Sequence, residues 1–240
     1  MKIIALIPAR GGSKGISNKN IKLFCGEPLI KYSIDIANKC HHISDVIVST
    51  DSSSIADIAK KCGAHVPFIR PSNISQDHSP DIEFIDHYIN WNNENNIEQP
   101  DLIVQLRPTY PIRSLDLLNS CINQMIINFD KYDSLRTVVL NECKSPFKMY
   151  FVENNVLKPI IPNGTFPFIK EPYNMCRQVL PNTYVHNGCI DIIKTDVVIN
   201  KKCLSGHHIL PVIMNTDEIN DIDSMDDWEK AENRFNNIKL

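Results

Sequence analysis

The chain has 240 residues, 42% hydrophobic and 22% charged, with 25 Lys and Arg against 28 Asp and Glu for a net charge of −3. That length allows one large or two small domains with an extended core, and the near balance of charge argues against a dedicated nucleic-acid binder, whose basic face would show in the total. No apolar run reaches the ~18 residues that cross a bilayer, and Ile3–Ile7 meets Pro8 and Arg10 too soon for a signal-peptide core, so a soluble, cytoplasmic protein is expected.

Ile3-Ile4-Ala5-Leu6-Ile7, Val46-Ile47-Val48 and Leu102-Ile103-Val104-Gln105-Leu106 are almost wholly apolar. Unbroken rather than alternating hydrophobicity at this length predicts strands covered on both faces, as in a parallel sheet. Between them, Ile55, Ile58, Ala59 and Cys62 predict a helix capped by Asp51 or the serines after it and stopped at Gly63. Ile82, Ile85 and Ile89 mark a second helix, and Leu115, Leu118, Ile122, Met125 and Phe129 a third. This strand–helix alternation over the first 140 residues predicts an α/β fold with a doubly wound, mostly parallel sheet.

The pattern changes after Thr137-Val138-Val139. From Glu142 to Pro181 there are six prolines and several aromatics but no clean helical period. Residues 141–183 therefore read as an insertion of extended segments whose apolar content packs on something, a second subunit being one candidate; residues 1–140 and 184–240 form the core. Strands are predicted near Ile190–Ile193 and Ile209–Met214, and a final helix over Asp227–Phe235 with Asp226 as its N-cap. The eight cysteines include no C-x-x-C pair, and reduced, buried thiols are expected.

Candidate chemistry begins after the first strand, at Pro8-Ala9-Arg10-Gly11-Gly12-Ser13-Lys14-Gly15 followed by Asn18-Lys19-Asn20. Glycines there permit backbone angles and approach that side chains block, so N–H groups can converge on an anion beside Arg10, Lys14 and Lys19. The run matches neither G-x-x-x-x-G-K-[ST] nor G-x-G-x-x-G, and a basic glycine turn without a ligand has the same composition. Near the other end, Asp221-Ile222-Asp223 puts two carboxylates on one side of an extended segment. Such hard oxygen donors suit Mg²⁺, and they equally suit the N-terminus of the following helix. At the third buried strand's C-terminal end, where open α/β sheets bind ligands, Arg107-Pro108-Thr109-Tyr110-Pro111-Ile112-Arg113 holds two arginines around a rigid turn. Arg113 also fits a surface role at the next helix, and Asn187-Gly188 also fits an ordinary tight turn.

Together with Lys19-Asn20-Ile21 and Val48-Ser49-Thr50-Asp51, these motifs come in the order of the acylneuraminate cytidylyltransferases, the CMP-sialic acid synthetases, which the chain resembles over nearly its whole length. The resemblance implies a nucleotide-diphospho-sugar transferase-like fold and a homodimer, with the insertion reaching into the partner. It implies transfer of CMP from CTP to the anomeric hydroxyl of a 2-keto sugar acid, with Mg²⁺ required and no nucleic acid or membrane involved. By position, Arg10, Gly12, Ser13, Lys14, Lys19 and Asn20 would bind CTP, with Arg10, Lys19 and Asp223 catalytic. Asp221 and Asp223 would hold the metal, and Arg107, Arg177 and Asn187 would face the acid sugar. No residue stands out as a general base.

Four substrate-facing positions depart from the family pattern. Arg107 replaces a glutamine, Val185-His186 stands where an arginine is usual, Asp81 replaces a serine, and Asp191 replaces a tyrosine. Arg107 could thereby serve the sugar carboxylate in place of the missing arginine. The alternatives are another sugar-nucleotide or molybdenum-cofactor nucleotidyltransferase, or an inactive nucleotide-binding subunit.

Overall fold

In the computed structural model, which describes residues 1–216 and 220–239, the first apolar run forms β1 (Ile3–Pro8), buried along nearly its whole length. A two-strand ribbon follows, β2 (Leu23–Phe24) with β3 (Glu27–Pro28), and then helix α1 (Leu29–Lys39), which the sequence reading did not mark. α1 buries Leu29, Ile30, Ser33, Ile34 and Ala37 on one stripe, the spacing of a helix that packs one face on a sheet.

β4 (Asp45–Ser49) leads into α2 (Ser53–Lys61), whose N-cap is Ser52, with its hydroxyl accepting from the Ile55 N–H at 3.5 Å. α3 (Asp81–Glu94) precedes β5 (Leu102–Gln105), and α4 (Leu115–Ile127) precedes β6 (Ser134–Leu140). After the insertion come β9 (Tyr184–Lys194), α5 (Thr195–Lys201), β10 (Ile209–Met214) and α6 (Met225–Lys239).

The six-stranded sheet has the order β10-β6-β9-β5-β1-β4. β1 pairs in parallel with β4 on one side and β5 on the other. The chain thus reverses direction across the sheet beside β1, and the C-terminal ends of β1, β4 and β5 border the crevice that such a reversal opens. β9 runs antiparallel to β5.

Two apolar clusters support that crevice. Phe84, Ile85 and Ile89 of α3 pack on Ile4, Leu6, Ile47 and Ile103 of the sheet. Ile16, Phe24, Leu29, Ile222, Trp228 and Ala231 form the other, where Phe24 meets Tyr32 and Trp228 edge-on, with centroids 5.3 and 5.6 Å apart.

The last helix corrects its sequence reading. It begins at Met225 and its cap is Ser224 rather than Asp226: the Ser224 N–H donates to the Asp227 carboxylate at 2.9 Å, and the Asp227 N–H points back to the Ser224 hydroxyl at 3.3 Å. Residues three apart close this reciprocal box, and Asp226 already lies inside the helix's first turn, where it cannot cap it. The thiols differ too: Cys40, Cys121 and Cys189 are buried and none of the eight forms a disulfide, but Cys143 and Cys176 are exposed because they lie in irregular segments of the insertion that cover no core.

The chain divides into two compact units, one of Met1–Thr137, Gly188–Val212 and Ile219–Leu240, the other of Val138–Asn187 and Ile213–Glu218. Within the second, β7 (Tyr150–Glu153) and β8 (Val156–Pro159) form an antiparallel hairpin. Asn154 and Asn155 both take positive φ, 53° and 61°, as a tight two-residue hairpin turn requires. The hairpin's apolar side chains are exposed, Val152 at 68% and Leu157 at 63%, and Phe168 of the same unit is at 97%.

Candidate active site

The glycine-rich loop leaves β1 at Pro8 and is fixed at three points. The Ala9 N–H donates to the Ser49 carbonyl at 2.9 Å, the Gly11 N–H to the Asp51 carboxylate at 2.8 Å, and the buried Asn20 amide to the Arg10 carbonyl at 2.9 Å. The end of β4 therefore acts as a stop for the loop. Gly11, Gly12 and Gly15 all have ordinary negative φ, so backbone angle does not explain them. Close approach explains two. A Cβ on Gly11 would come within 3.1 Å of the Ser52 Cβ, and one on Gly15 would run into the Asp223 carbonyl oxygen, whereas Gly12 has nothing within 4 Å.

Ile16 of the loop and Ile222 of the Asp-x-Asp segment sink into the same apolar cluster. Ile222 is fully buried, and the carboxylates on either side of it reach solvent. The Ile222 N–H donates to the Thr109 carbonyl at 2.8 Å. Lys19, with only 12% of its side chain exposed, donates to the Ile222 carbonyl at 2.7 Å and lies 3.2 Å from the Asp223 carboxylate. The protein packed around Asp221, and then the charge of Asp223, push the Asp221 pKa up, although a hydrogen bond from Thr109 opposes this. Two carboxylates that repel each other in this way match the donor chemistry of a divalent cation.

These elements border one cavity of about 320 Å³, within the range that holds a small cofactor. Its walls bring together Arg10, Ser13, Lys14, Lys19, Asn20, Arg107 and Asp223; Gly12 and Asp221 are not part of that wall. Arg177 and Asn187 belong to the second unit. There the Arg177 guanidinium donates to the carbonyls of Glu142 at 2.8 Å and Asn141 at 3.3 Å, and the Asn187 amide lies 3.1 Å from the Met214 sulfur.

Arg107 carries two acids at once. Its guanidinium holds the Asp81 and Asp191 carboxylates, each at 2.6 Å, and Gln105 also donates to Asp81 at 2.8 Å. Burial alone would lower the Arg107 pKa, but Asp191 and Asp81 outweigh it and raise it. Three of the four unusual positions are thus one ionic cluster, with Gly188 (φ +67°) leaving room for the Arg107 side chain against β9. Asn187-Gly188 is therefore a kink inside a strand, not a hairpin turn. Arg113 is no surface residue: it donates to the Cys189 and Arg107 carbonyls at 2.7 and 2.5 Å and to the Ser33 hydroxyl at 2.9 Å.

The sequence reading missed two wall residues. Arg70 is 5% exposed, lies over the Phe84 ring at 5.6 Å, and leaves Nε and Nη2 without a partner among the described residues. Burial, then the charge of Arg10, lowers its pKa. A buried guanidinium with free donors beside a cavity calls for an anion or a polar ligand; its one trace in the sequence is an arginine ending the apolar run Val66-Pro67-Phe68-Ile69. Asp77, also in the wall, pairs with Arg10 and Lys14, and nothing in its serine-rich surroundings marks it.

A family model described as cytidylyltransferase matches residues 4–160. The chain belongs to the cytidylyltransferase family. As a member, it is a CTP-dependent nucleotidyltransferase, and enzymes of this kind generally use a divalent metal. It is 29% identical over 232 residues to the pseudaminic acid cytidylyltransferase of Campylobacter jejuni serotype O:2, covering 96% of this chain and 95% of that one. It is also 29% identical over 230 residues to the N-acylneuraminate cytidylyltransferase of Escherichia coli O18:K1:H7; there the match covers 96% of this chain but spans only about half, 51%, of the relative. In fold, this cytidylyltransferase matches CMP:2-keto-3-deoxy-manno-octonic acid synthetase complexed with CTP, with a TM-score of 0.73 over 100% of both chains at 16% identity. Among the described residues no helix is long and apolar enough to cross a membrane.

Proposed function

We propose that this cytidylyltransferase transfers CMP from CTP to the anomeric hydroxyl of a 2-keto sugar acid of the sialic acid type and releases pyrophosphate. The observation that carries this reading is the meeting at one cavity of a cationic loop from the N-terminal part of the chain and Asp223, one of the two carboxylates of Asp221-Ile222-Asp223. The names of the relatives, an acylneuraminate and a pseudaminic acid cytidylyltransferase, support a nine-carbon keto acid as acceptor.

In this reading Arg10, Lys14 and Lys19 receive the triphosphate with Ser13 and the Gly12 N–H. Asn20 holds the loop from behind through the Arg10 carbonyl, and Arg70 supplies free donors deeper in the wall. Asp221 and Asp223 would hold Mg²⁺, which when bound supplies neutralisation of the phosphate charge. Phosphoryl transfer needs the attacking oxygen, the α-phosphorus and the leaving oxygen in line, so most of the help is positioning and countercharge. Lys19, tethered by the Ile222 carbonyl, carries a fixed ammonium beside Asp223, while Arg10 and Lys14 face the leaving group.

The acceptor end is assigned to Arg107 and, from the family resemblance, to Arg177 and Asn187. Because Arg107 already binds two acids, a sugar carboxylate would have to compete with Asp81 for it. The exposed apolar hairpin of residues 150–160 supports a homodimer, testable by sedimentation before and after Val152→Asp with Leu157→Asp. Eight cysteines outside any disulfide, two of them exposed, support a reducing, cytoplasmic setting.

The deciding experiment is pyrophosphate release with each of the four NTPs, Mg²⁺ and a panel of 2-keto sugar acids. Release with CTP and a nine-carbon keto acid is the expected result. Preference for GTP or UTP, or no release with any acid, overturns it.

A further inference from the structure

The mouth of the cavity holds a carboxylate that the reaction above does not use. Asp77 accepts a hydrogen bond from Arg10 Nη1 at 2.5 Å through Oδ1, and its Oδ2 pairs with the Lys14 ammonium. First Lys14 and then Arg10 hold its pKa below the usual carboxylate range. The two cations assigned to the triphosphate therefore already have an anion between them. The rest of the segment from Pro71 to Ser79 bonds mainly to itself: the Ser75 hydroxyl donates to the Pro71 carbonyl at 2.9 Å, the Gln76 side-chain amide to the Ser72 carbonyl at 2.6 Å, the Gln76 N–H to the Ser79 hydroxyl at 3.1 Å, and the Ser79 N–H to the Gln76 carbonyl at 3.1 Å. Asp77 is its ionic link to the glycine-rich loop.

We propose that Asp77 is a positioning residue that stands in for the incoming phosphates, holding Arg10 and Lys14 until the triphosphate displaces it and pairing with them again as pyrophosphate leaves. This rests on the CTP reading above. Geometry supports it: one carboxylate bridges both cations, on the wall facing the loop, within the cavity itself. The balance of strengths supports it as well. With Asp77 40% and Lys14 80% exposed, such pairs are weak, and a polyanion offering several oxygens wins both cations. Each entry then trades existing pairs for new ones, which loosens substrate and product alike and keeps a strongly cationic site from retaining pyrophosphate. A fixed strut, by contrast, would keep its pairs in the nucleotide complex and its loss would weaken binding, so the two roles predict changes of opposite sign.

The test uses the full-length protein and its Asp77→Asn, Asp77→Ser and Asp77→Glu variants, with CTP and inorganic pyrophosphate as probes in calorimetry and steady-state kinetics. The expected result is tighter binding of both probes by Asp77→Asn and Asp77→Ser, by about three- to tenfold, as the loss of weak surface pairs allows. KM for CTP should fall with kcat, Asp77→Glu should restore both, and added salt should narrow the differences. Equal or weaker binding by the two neutral variants, at an unchanged thermal midpoint, overturns the proposal. If the unaltered protein binds neither probe, the CTP reading fails, and this inference with it.

Discussion

Gly15 has no room for a side chain because the Asp223 carbonyl oxygen fills the space that a Cβ would take. The loop and the carboxylate doublet are therefore in register through backbone contact as well as through Lys19. Gly15→Ala is expected to push the two apart, with an overpacking cost of about 1–3 kcal/mol and a loss of turnover larger than that cost explains. Gly12→Ala, facing open space, should retain the thermal midpoint. Paired thermal melts and pyrophosphate-release assays check this, and equal effects from the two substitutions would contradict the contact.

Asp223 is 79% exposed at its side chain, so its removal costs the fold little, within about 0.5 kcal/mol. Asp223→Ala should nonetheless abolish turnover while leaving circular dichroism and the denaturant midpoint unchanged. Retained activity with the same Mg²⁺ dependence would refute its role.

The Arg107 cluster makes a prediction about stability. Asp191 has 3% of its side chain exposed and pairs with the Arg107 guanidinium at 2.6 Å. Arg107→Met takes the guanidinium from a buried carboxylate and should cost about 3–5 kcal/mol, and adding Asp191→Asn should recover much of the loss. Urea unfolding of the two single variants and the double variant measures the coupling; additive costs would mean the ion pair is not what holds this corner.

Asp133 governs the response to acid. Lys201, and then the N–H groups of His208 and His207, hold its pKa far below the ordinary carboxylate value, with contacts of 2.7, 3.1 and 2.7 Å. A depressed folded pKa means that the stabilisation is fully present above the unfolded value near 3.8 and is lost as pH falls below it. Asp133→Asn should cost about 1.5–3 kcal/mol at pH 7, and the gap from the parent protein should shrink as the solution is acidified below pH 4. A gap independent of pH would exclude the ionised carboxylate as its source.

What was legible in the sequence was whatever a local rule controls. β1, β4 and β5 are buried on both faces and so read as unbroken apolar runs, and the Ser52 cap announces α2. The alternation of Asp221, Ile222 and Asp223 follows from strand geometry, with Ile222 in the core. α1 carried a readable stripe in Leu29, Ile30, Ile34 and Ala37 that the glycine-rich neighbourhood overshadowed. Other features were not legible, because their causes are not local. Arg107 meets Asp81 and Asp191 across 26 and 84 residues, so three odd substitutions looked independent until the fold put them in contact. Arg70 is exceptional only because its donors go unanswered once buried, and Asp77 only because of the cations opposite it. Antiparallel β9 beside β5 is likewise a property of the assembled sheet, not of either strand's pattern.

The bond from Ile222 to the Thr109 carbonyl, with Lys19 grasping the Ile222 carbonyl from the other side, has a consequence for biosynthesis. The glycine-rich loop leaves the ribosome some two hundred residues before the segment that completes it. With Asp223 in the role proposed for it, a growing chain can fold β1 and its neighbours early yet gains its full set of charges around the triphosphate only after Asp223 has emerged and docked, and a product cut short before Asp221 is expected to be a folded shell that turns nothing over.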